Sequence, residues 1–346
     1  MPLAGWPTAA LPMAALTALV QLTGSLLAGG VPQGSATLPL ERAEGGDTPV
    51  LRFETLAPYG ASAAIPGSGP VRLLLDTGAS TTMVSPALAA RLGLATTTVA
   101  PGSFALAGGG QGCGTLAPRR TRLPDLRLSP SAPEAGSATG ALRLRGVEAL
   151  VLPVAALPAG IDGVLGAPTL RQLPILIDPP AGRLVLGPAA LAGAAALPPP
   201  LLRLPLRWRH GVPLLTLASR SGPVQALADT GAEGLFLSPA LASRLEPLGP
   251  AEPLRLVGVC GEQAVRRQRF RGLALPAEPV AGGPAARPIA PGTAAAGDLT
   301  TPLEGIVTDT PVFGGLGVEA IVGQEWLRHR RQLWRLDRSP PELLLW

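Results

Sequence analysis

Residues 71–92 read VRLLLDTGASTTMVSPALAARL, and residues 224–245 read VQALADTGAEGLFLSPALASRL. Each stretch holds Asp-Thr-Gly-Ala, placing Asp76 and Asp229 153 positions apart, and Ser-Pro-Ala-Leu-Ala follows each at the same distance. A chain that doubles a carboxylate within a doubled segment builds its site on a pseudo-twofold axis. Locally, residues 71–75 and 224–228 read as buried strands ending at the Asp, with Gly78 and Gly231 allowing a sharp turn. Ser85-Pro86 and Ser238-Pro239 then read as N-cap and first turn of a short helix. A single Asp-Thr-Gly is an ordinary turn. Two copies with matching strands before and matching helices after them point to a paired site.

Two carboxyl groups brought close together do not both ionise cheaply, so one keeps its proton while the other stays charged. The charged member activates a water as general base and the protonated one polarises a carbonyl, which hydrolyses an amide without metal or covalent intermediate. Thr77 and Thr230 are placed to bind backbone across the pseudo-dyad. A second duplicated element follows in each half, Ile161-Asp-Gly-Val-Leu-Gly166 and Val318-Glu-Ala-Ile-Val-Gly323. It suits a buried strand passing so close behind the Asp loop that only glycine fits. Asp178 and Asp337, farther on, read as caps of the following turns.

These motifs resemble the pepsin and retropepsin superfamily of aspartic peptidases, over most of the chain beyond about Thr48 and in two copies. Each half carries the family's hydrophobic-hydrophobic-Asp-Thr-Gly and its later hydrophobic-hydrophobic-Gly. Ala79 and Ala232, where pepsins usually have Ser or Thr, make each half similar to the retroviral type, as if one unit had been duplicated and fused. The resemblance implies a mainly β, bilobal acid-protease fold of two pseudo-twofold-related β-barrel lobes with short helices. It also implies an aspartic endopeptidase with Asp76 and Asp229 as dyad, braced by Thr77, Gly78, Thr230 and Gly231, with no cofactor and no metal. Gly109, Gly110, Cys113, Gly258 and Cys260 fall where flaps over the cleft are expected. Cys113 and Cys260 are equivalent by the internal repeat, and flap tips meet near the axis in retropepsin-like folds; a disulfide clasping the cleft in an oxidising compartment is one reading, and inert or free thiols are the other.

The chain also departs from the family. Glu233 stands where the first half has Ser80, and the only tyrosine, Tyr59, precedes the first Asp rather than lying in a flap. Without hydroxyls at Ala79 and Ala232 the dyad should titrate less acidically than a pepsin's. Glu233 either adds negative charge near the dyad or pairs with a surface arginine.

The 346 residues fit two domains, and the 44 glycines and 41 prolines exclude a helical bundle. The expected organisation is a signal peptide or N-terminal anchor over 1–36, a first lobe over 37–187, an Ala/Pro-rich linker over 188–200 and a second lobe over 201–346. Residues 129–140 and 279–297 read as surface insertions. No charged side chain precedes Glu41; the apolar run 11–28 and Gly34-Ser35-Ala36 suggest export to the periplasm or outside, an uncleaved membrane anchor being the alternative. No obligate span is expected after processing.

The positive charge is all arginine and nets +5. With aromatics at 3%, little material remains for base stacking, so no nucleic-acid partner is expected. Two clusters, Arg119, Arg120, Arg122 and Arg266, Arg267, Arg269, read as charged edge strands or as a surface that recruits acidic peptides. Two histidines and two cysteines are too few for a zinc site. The glycine run 108–114 lacks the lysine of a P-loop and reads better as a flap tip. The expected partner is a peptide or protein substrate, and a fused pseudo-dimer completes its site as a monomer. A non-catalytic module that holds a peptide or envelope partner in the same cleft stands as the alternative, and an enzyme that cleaves its own chain as a third possibility.

Overall fold

The computed structural model describes residues 13–15, 18–22, 27–56, 69–100, 104–110, 112–128, 141–276 and 298–346. Tyr59 and the tracts 129–140 and 279–297 lie outside the described residues. The molecule is bilobal and mainly β, as the duplicated motifs led one to expect. Each half contributes a ten-stranded sheet, and a third sheet of six strands joins them.

The repeat is visible in the hydrogen-bonding order around each Asp. In the first half the strand Val71–Leu75, which leads into Asp76, pairs parallel with Gly163–Leu165. That strand pairs antiparallel with Thr82–Val84, which in turn runs parallel to Glu148–Val151. In the second half Val224–Ala228 pairs parallel with Ala320–Val322, that with Leu235–Leu237 antiparallel, and that with Leu303–Val307 parallel. All three residues of Thr82–Val84 and of Leu235–Leu237 are buried, as are all three of Gly163–Leu165 and Ala320–Val322. Strands covered on both faces read as continuous apolar runs without alternation.

The six-stranded sheet draws three strands from each half. Ala36–Pro39, Arg183–Leu186 and Pro174–Asp178 meet Gln332–Arg335, Glu342–Leu345 and Leu202–Pro205 at an antiparallel seam of Ile175 opposite Trp334. Trp334 is fully buried there. Its first strand begins at Ala36, and Val31–Gln33 joins the first-lobe sheet, so that sheet includes residues ahead of the expected start at 37.

The 188–200 segment differs from a plain linker. Pro188–Ala195 is an α-helix, with proline in its first turn and Ala190 buried against Leu176 and Val185 of the joining sheet. Alanine is the strongest helix former and proline at the start costs nothing, so the composition that reads as linker also specifies a helix once a sheet face is there to cover. Among the described residues no helix is long and apolar enough to cross a membrane.

Candidate active site

Asp76 and Asp229 stand at the ends of equivalent strands and both are fully buried. Their backbones are tied down by the strand behind: Asp76 N–H donates to Leu165 O (3.1 Å) and Asp229 N–H to Val322 O (3.0 Å). The glycines of the second motif fit that closeness. A Cβ on Gly166 would lie 2.4 Å from Thr81 O, and one on Gly323 would lie 2.2 Å from Ala232 O. The loops close on each other as tightly, since a Cβ on Gly78 would sit 2.3 Å from the Asp229 carboxyl carbon and one on Gly231 would sit 2.4 Å from that of Asp76. Two carboxyls are therefore faced across the pseudo-axis by loops only glycine can make.

The threonines lock this arrangement reciprocally. Thr77 Oγ1 donates to Ala228 O (2.8 Å) and accepts from Thr230 N–H (3.0 Å). Thr230 Oγ1 donates to Leu75 O (2.7 Å) and accepts from Thr77 N–H (3.0 Å). Each hydroxyl satisfies a buried amide and a buried carbonyl of the opposite lobe, groups that would otherwise be costly to leave unpaired. Ser85 and Ser238 cap the helices that follow, accepting from Leu88 N–H and Leu241 N–H at 3.1 Å each.

Backbone amides also hold the carboxylates. Ala79 N–H donates to Asp76 Oδ1 and Gly231 N–H to Asp229 Oδ1, both at 2.8 Å. Burial, followed by the neighbouring charge of Asp229, pushes the Asp76 carboxyl well above the usual carboxylate range, and the hydrogen bond between the two side chains acts the same way. Close burial of two carboxyls favours one ionised and one protonated member over two charges.

The segments expected as flaps meet each other. The first is the strand Phe104–Gly108 with its turn Cys113–Thr115, and the second is the hairpin of Glu246–Gly258 and Gly261–Arg271. Cys113 and Cys260 form a disulfide with 4.7 Å between Cα atoms. Cys260 N–H donates to Gly109 O (2.9 Å), and a Cβ on Gly258 or Gly110 would strike Gly109 or Gly261 backbone. Each flap reaches the opposite lobe. Val259 and Cys260 join the apolar cluster of Ala79, Met83 and Val164, while Ala107 packs on that of Ala232 and Phe236. A cavity of about 10 Å³ remains between Gly109 and Leu256 above and Phe236, Ile321, Val312 and Thr308 below.

Several side chains sit elsewhere than expected. Among the described residues Glu233 forms no salt bridge with an arginine; Asp47 N–H (2.6 Å), Thr48 N–H (3.0 Å) and Thr48 Oγ1 (2.6 Å) all donate to it from the first lobe. Burial raises its pKa. Asp178 does cap Ala181 N–H, but it also binds Arg183 and, across the lobes, Arg331 at 2.7 Å. Asp337, read as a turn cap, pairs with Arg335 at 3.0 Å. The arginine clusters are not on edge strands: Arg119–Arg122 lies between Glu148–Val151 and Thr96–Thr98, and Gly261–Arg271 between Glu246–Gly258 and Leu303–Val307. Arg120 and Arg267 are matched by Glu148 and Glu252 on neighbouring strands, at 2.6 and 2.7 Å. Glu325, which motif reading passed over, is pushed up to about 7 by burial and by Glu304.

Residues 61–169 match the family described as Aspartyl protease. That match spans less than a third of the chain. Among solved structures, the chain is similar to conglutin gamma, a basic 7S globulin from lupine seeds, at 10% identity over 90% of this chain and 95% of that one, with a TM-score of 0.48. Basic 7S globulin from soybean is similar at 11% identity over 90% and 95%, with a TM-score of 0.45. No curated protein matches the chain.

Proposed function

We propose that this protein is an aspartic endopeptidase whose dyad is Asp76 and Asp229. The observation that carries the reading is the pair of interlocked Asp-Thr-Gly loops holding two carboxyls fully buried against each other. The ionised carboxylate takes a proton from water as the water oxygen bonds to the peptide carbonyl carbon, and the protonated carboxyl gives its proton to the carbonyl oxygen. Collapse of the tetrahedral intermediate returns that proton to the pair, passes the other to the leaving nitrogen and breaks the C–N bond. The groups that turn over are thus regenerated without a cofactor.

The Cys113–Cys260 disulfide supports an oxidising setting outside the cytoplasm. A mixture of peptides incubated from about pH 3 to pH 8 and read by mass spectrometry tests the reading, beside Asp76→Asn and Asp229→Asn. Cleavage lost in both variants is expected. A folded parent that cuts nothing at any pH would turn the assignment to a peptide-holding module on the same scaffold.

A further inference from the structure

A covalent bond joins the two tips, and it changes how a chain can reach the carboxyls. Cys113 follows the strand Phe104–Gly108 before the chain re-enters the first-lobe sheet at Arg119–Arg122, and Cys260 lies in the turn between Glu246–Gly258 and Gly261–Arg271 of the second-lobe sheet. The tips cross over. Val259 and Cys260 share an apolar cluster with Ala79, three residues after Asp76, while Ala107 packs on the cluster of Ala232, three residues after Asp229. Thr310 Oγ1 of the second lobe donates to Gly108 O (3.2 Å) of the first. The bridge therefore runs from the side of one Asp loop to the side of the other.

At the Asp loops the lobes are already joined, by the exchange of hydrogen bonds between Thr77 and Thr230 and by the six-stranded sheet. The disulfide closes the remaining side, and the whole is a ring. With free tips a chain could enter sideways as they part. Here the sulfurs hold the two Cα atoms 4.7 Å apart, and the backbones beside them leave no gap: a Cβ on Gly258 would lie 2.1 Å from Gly109 O and one on Gly110 2.2 Å from Gly261 O. The cavity of about 10 Å³ between the tips and the second lobe has room for about one water, and Asp76 and Asp229 have no exposure. A peptide therefore fits only when the bonded tips lift together, and the ring stays closed as they do.

Resting on the peptidase reading, we propose that the Cys113–Cys260 bond makes the cleft a closed arch, and that its substrates are unfolded chains threaded through it from a free end. A loop of a folded protein would have to enter as two strands side by side and is excluded while the bond stands. Hydrolysis leaves each fragment with a new end inside the arch, so both slide out without opening the ring. Cys113 is half-buried between the exposed Gly112 and Gly114, where a dithiol can attack it. That exchange passes two electrons and two protons to the cysteines, oxidises the dithiol to a disulfide and turns the arch into two separate tips.

The test uses the full chain, with both cysteines confirmed as unreactive toward a thiol reagent, and one peptide that it cuts. The peptide is prepared free, joined at one end to a folded domain, and joined at both ends. Gly/Ser linkers of about 25 residues, spanning roughly 25–30 Å, keep the domains clear of the tips. The oxidised protein is expected to cut the free and single-capped forms and to lose cutting of the double-capped one. Cys113→Ser with Cys260→Ser, or dithiothreitol acting on the parent, should bring the double-capped form back to the single-capped rate; the ratio is read within each form of the enzyme, so a general change in activity cancels. If the variant fails to fold, the comparison on the oxidised parent decides alone. Equal cutting of single- and double-capped forms by the oxidised protein would overturn the proposal, and so would a loss that persists once the bond is open. If no form cuts the free peptide, the peptidase reading fails and binding decides the arch: capture of the single-capped but not the double-capped form by the oxidised protein keeps it, and equal capture or none overturns it.

Discussion

The two Asp loops are copies in everything that touches the dyad and differ one residue farther out. Each carboxylate accepts a backbone amide, each threonine grips the opposite lobe, and each glycine clears the opposite carboxyl. Beyond the shared Asp-Thr-Gly-Ala, the first loop has Ser80, whereas the second has Glu233, which reaches into the first lobe to bind Asp47 and Thr48. The flaps differ too, since the second is a continuous hairpin of 13- and 11-residue strands and the first is a 5-residue strand followed by a short 3-10 turn. Fusion of two copies has kept symmetry where the chemistry needs it and released it where the lobes hold each other.

The largest effect should show the symmetric part. Asp76→Asn and Asp229→Asn are each expected to lower kcat by about 10³-fold, because the two carboxyls act as one proton-sharing unit. Measured on one peptide at several pH values, the losses should be similar. A variant that retains a tenth of the parental rate would break the equivalence of the halves.

The flap contrast is exposed by removing the disulfide that ties the two tips. It closes a loop with a sequence separation of 147. Chain entropy then sets a stabilisation of about 5 kcal/mol, so Cys113→Ser with Cys260→Ser should lower the urea midpoint accordingly. Amide exchange should sharpen the comparison, with 104–108 becoming fast while 261–271, hydrogen-bonded on both sides, stays slow. Equal loosening would mean the long hairpin is not the stronger flap.

Next in size is the threonine grip. Thr77→Val strips a buried hydroxyl that serves Ala228 O and Thr230 N–H, and Thr230→Val does the mirror-image damage to Leu75 O and Thr77 N–H. Two orphaned buried groups cost about 2–3 kcal/mol in either case. Denaturant unfolding of the two variants should give similar losses, and the double variant should depart from their sum because each hydroxyl holds the backbone amide of the other threonine.

What the sequence made legible follows the same division. The dyad, its threonines and glycines, the Ser-Pro helix starts and the second glycine motif all announce themselves locally, since each is a short-range requirement repeated at a constant spacing. Glu233 was visible as a departure but its partner was not, because Asp47 and Thr48 lie some 185 residues away and bind through backbone amides that leave no compositional trace. The arginine strands looked like edges because charge is what both an exposed edge and a cross-strand ion pair display. Pro188–Ala195 shows the converse, a helix whose signal depends on the sheet it covers. The strands at Met13–Ala15 and Ala18–Leu22 share their apolar character with an export segment, and their pairing partners lie more than eighty residues away, beyond the reach of a local pattern.

The smallest expected effect belongs to the second lobe alone. After the second motif's glycine that lobe has Gln324 and Glu325 where the first has Ala167 and Pro168, and the Glu325 N–H donates to Glu233 O (3.0 Å). Burial, and then Glu304, push Glu325 up to about 7 from 4.5. Below about pH 4.5 the folded and unfolded forms both hold this proton and the group is neutral toward stability. Between 4.5 and about 7 the unfolded chain releases it and the native one does not, so stability falls as pH rises, and the full penalty stands above 7. Glu325→Gln should therefore flatten that slope and gain on the order of 1 kcal/mol at pH 8 after solvent screening, with little change at pH 4. Urea midpoints at the two pH values measure it. A gain of the same size at pH 4 would show that lost charge is not the cause, and Pro168→Ala in the first lobe should leave the pH slope as it was.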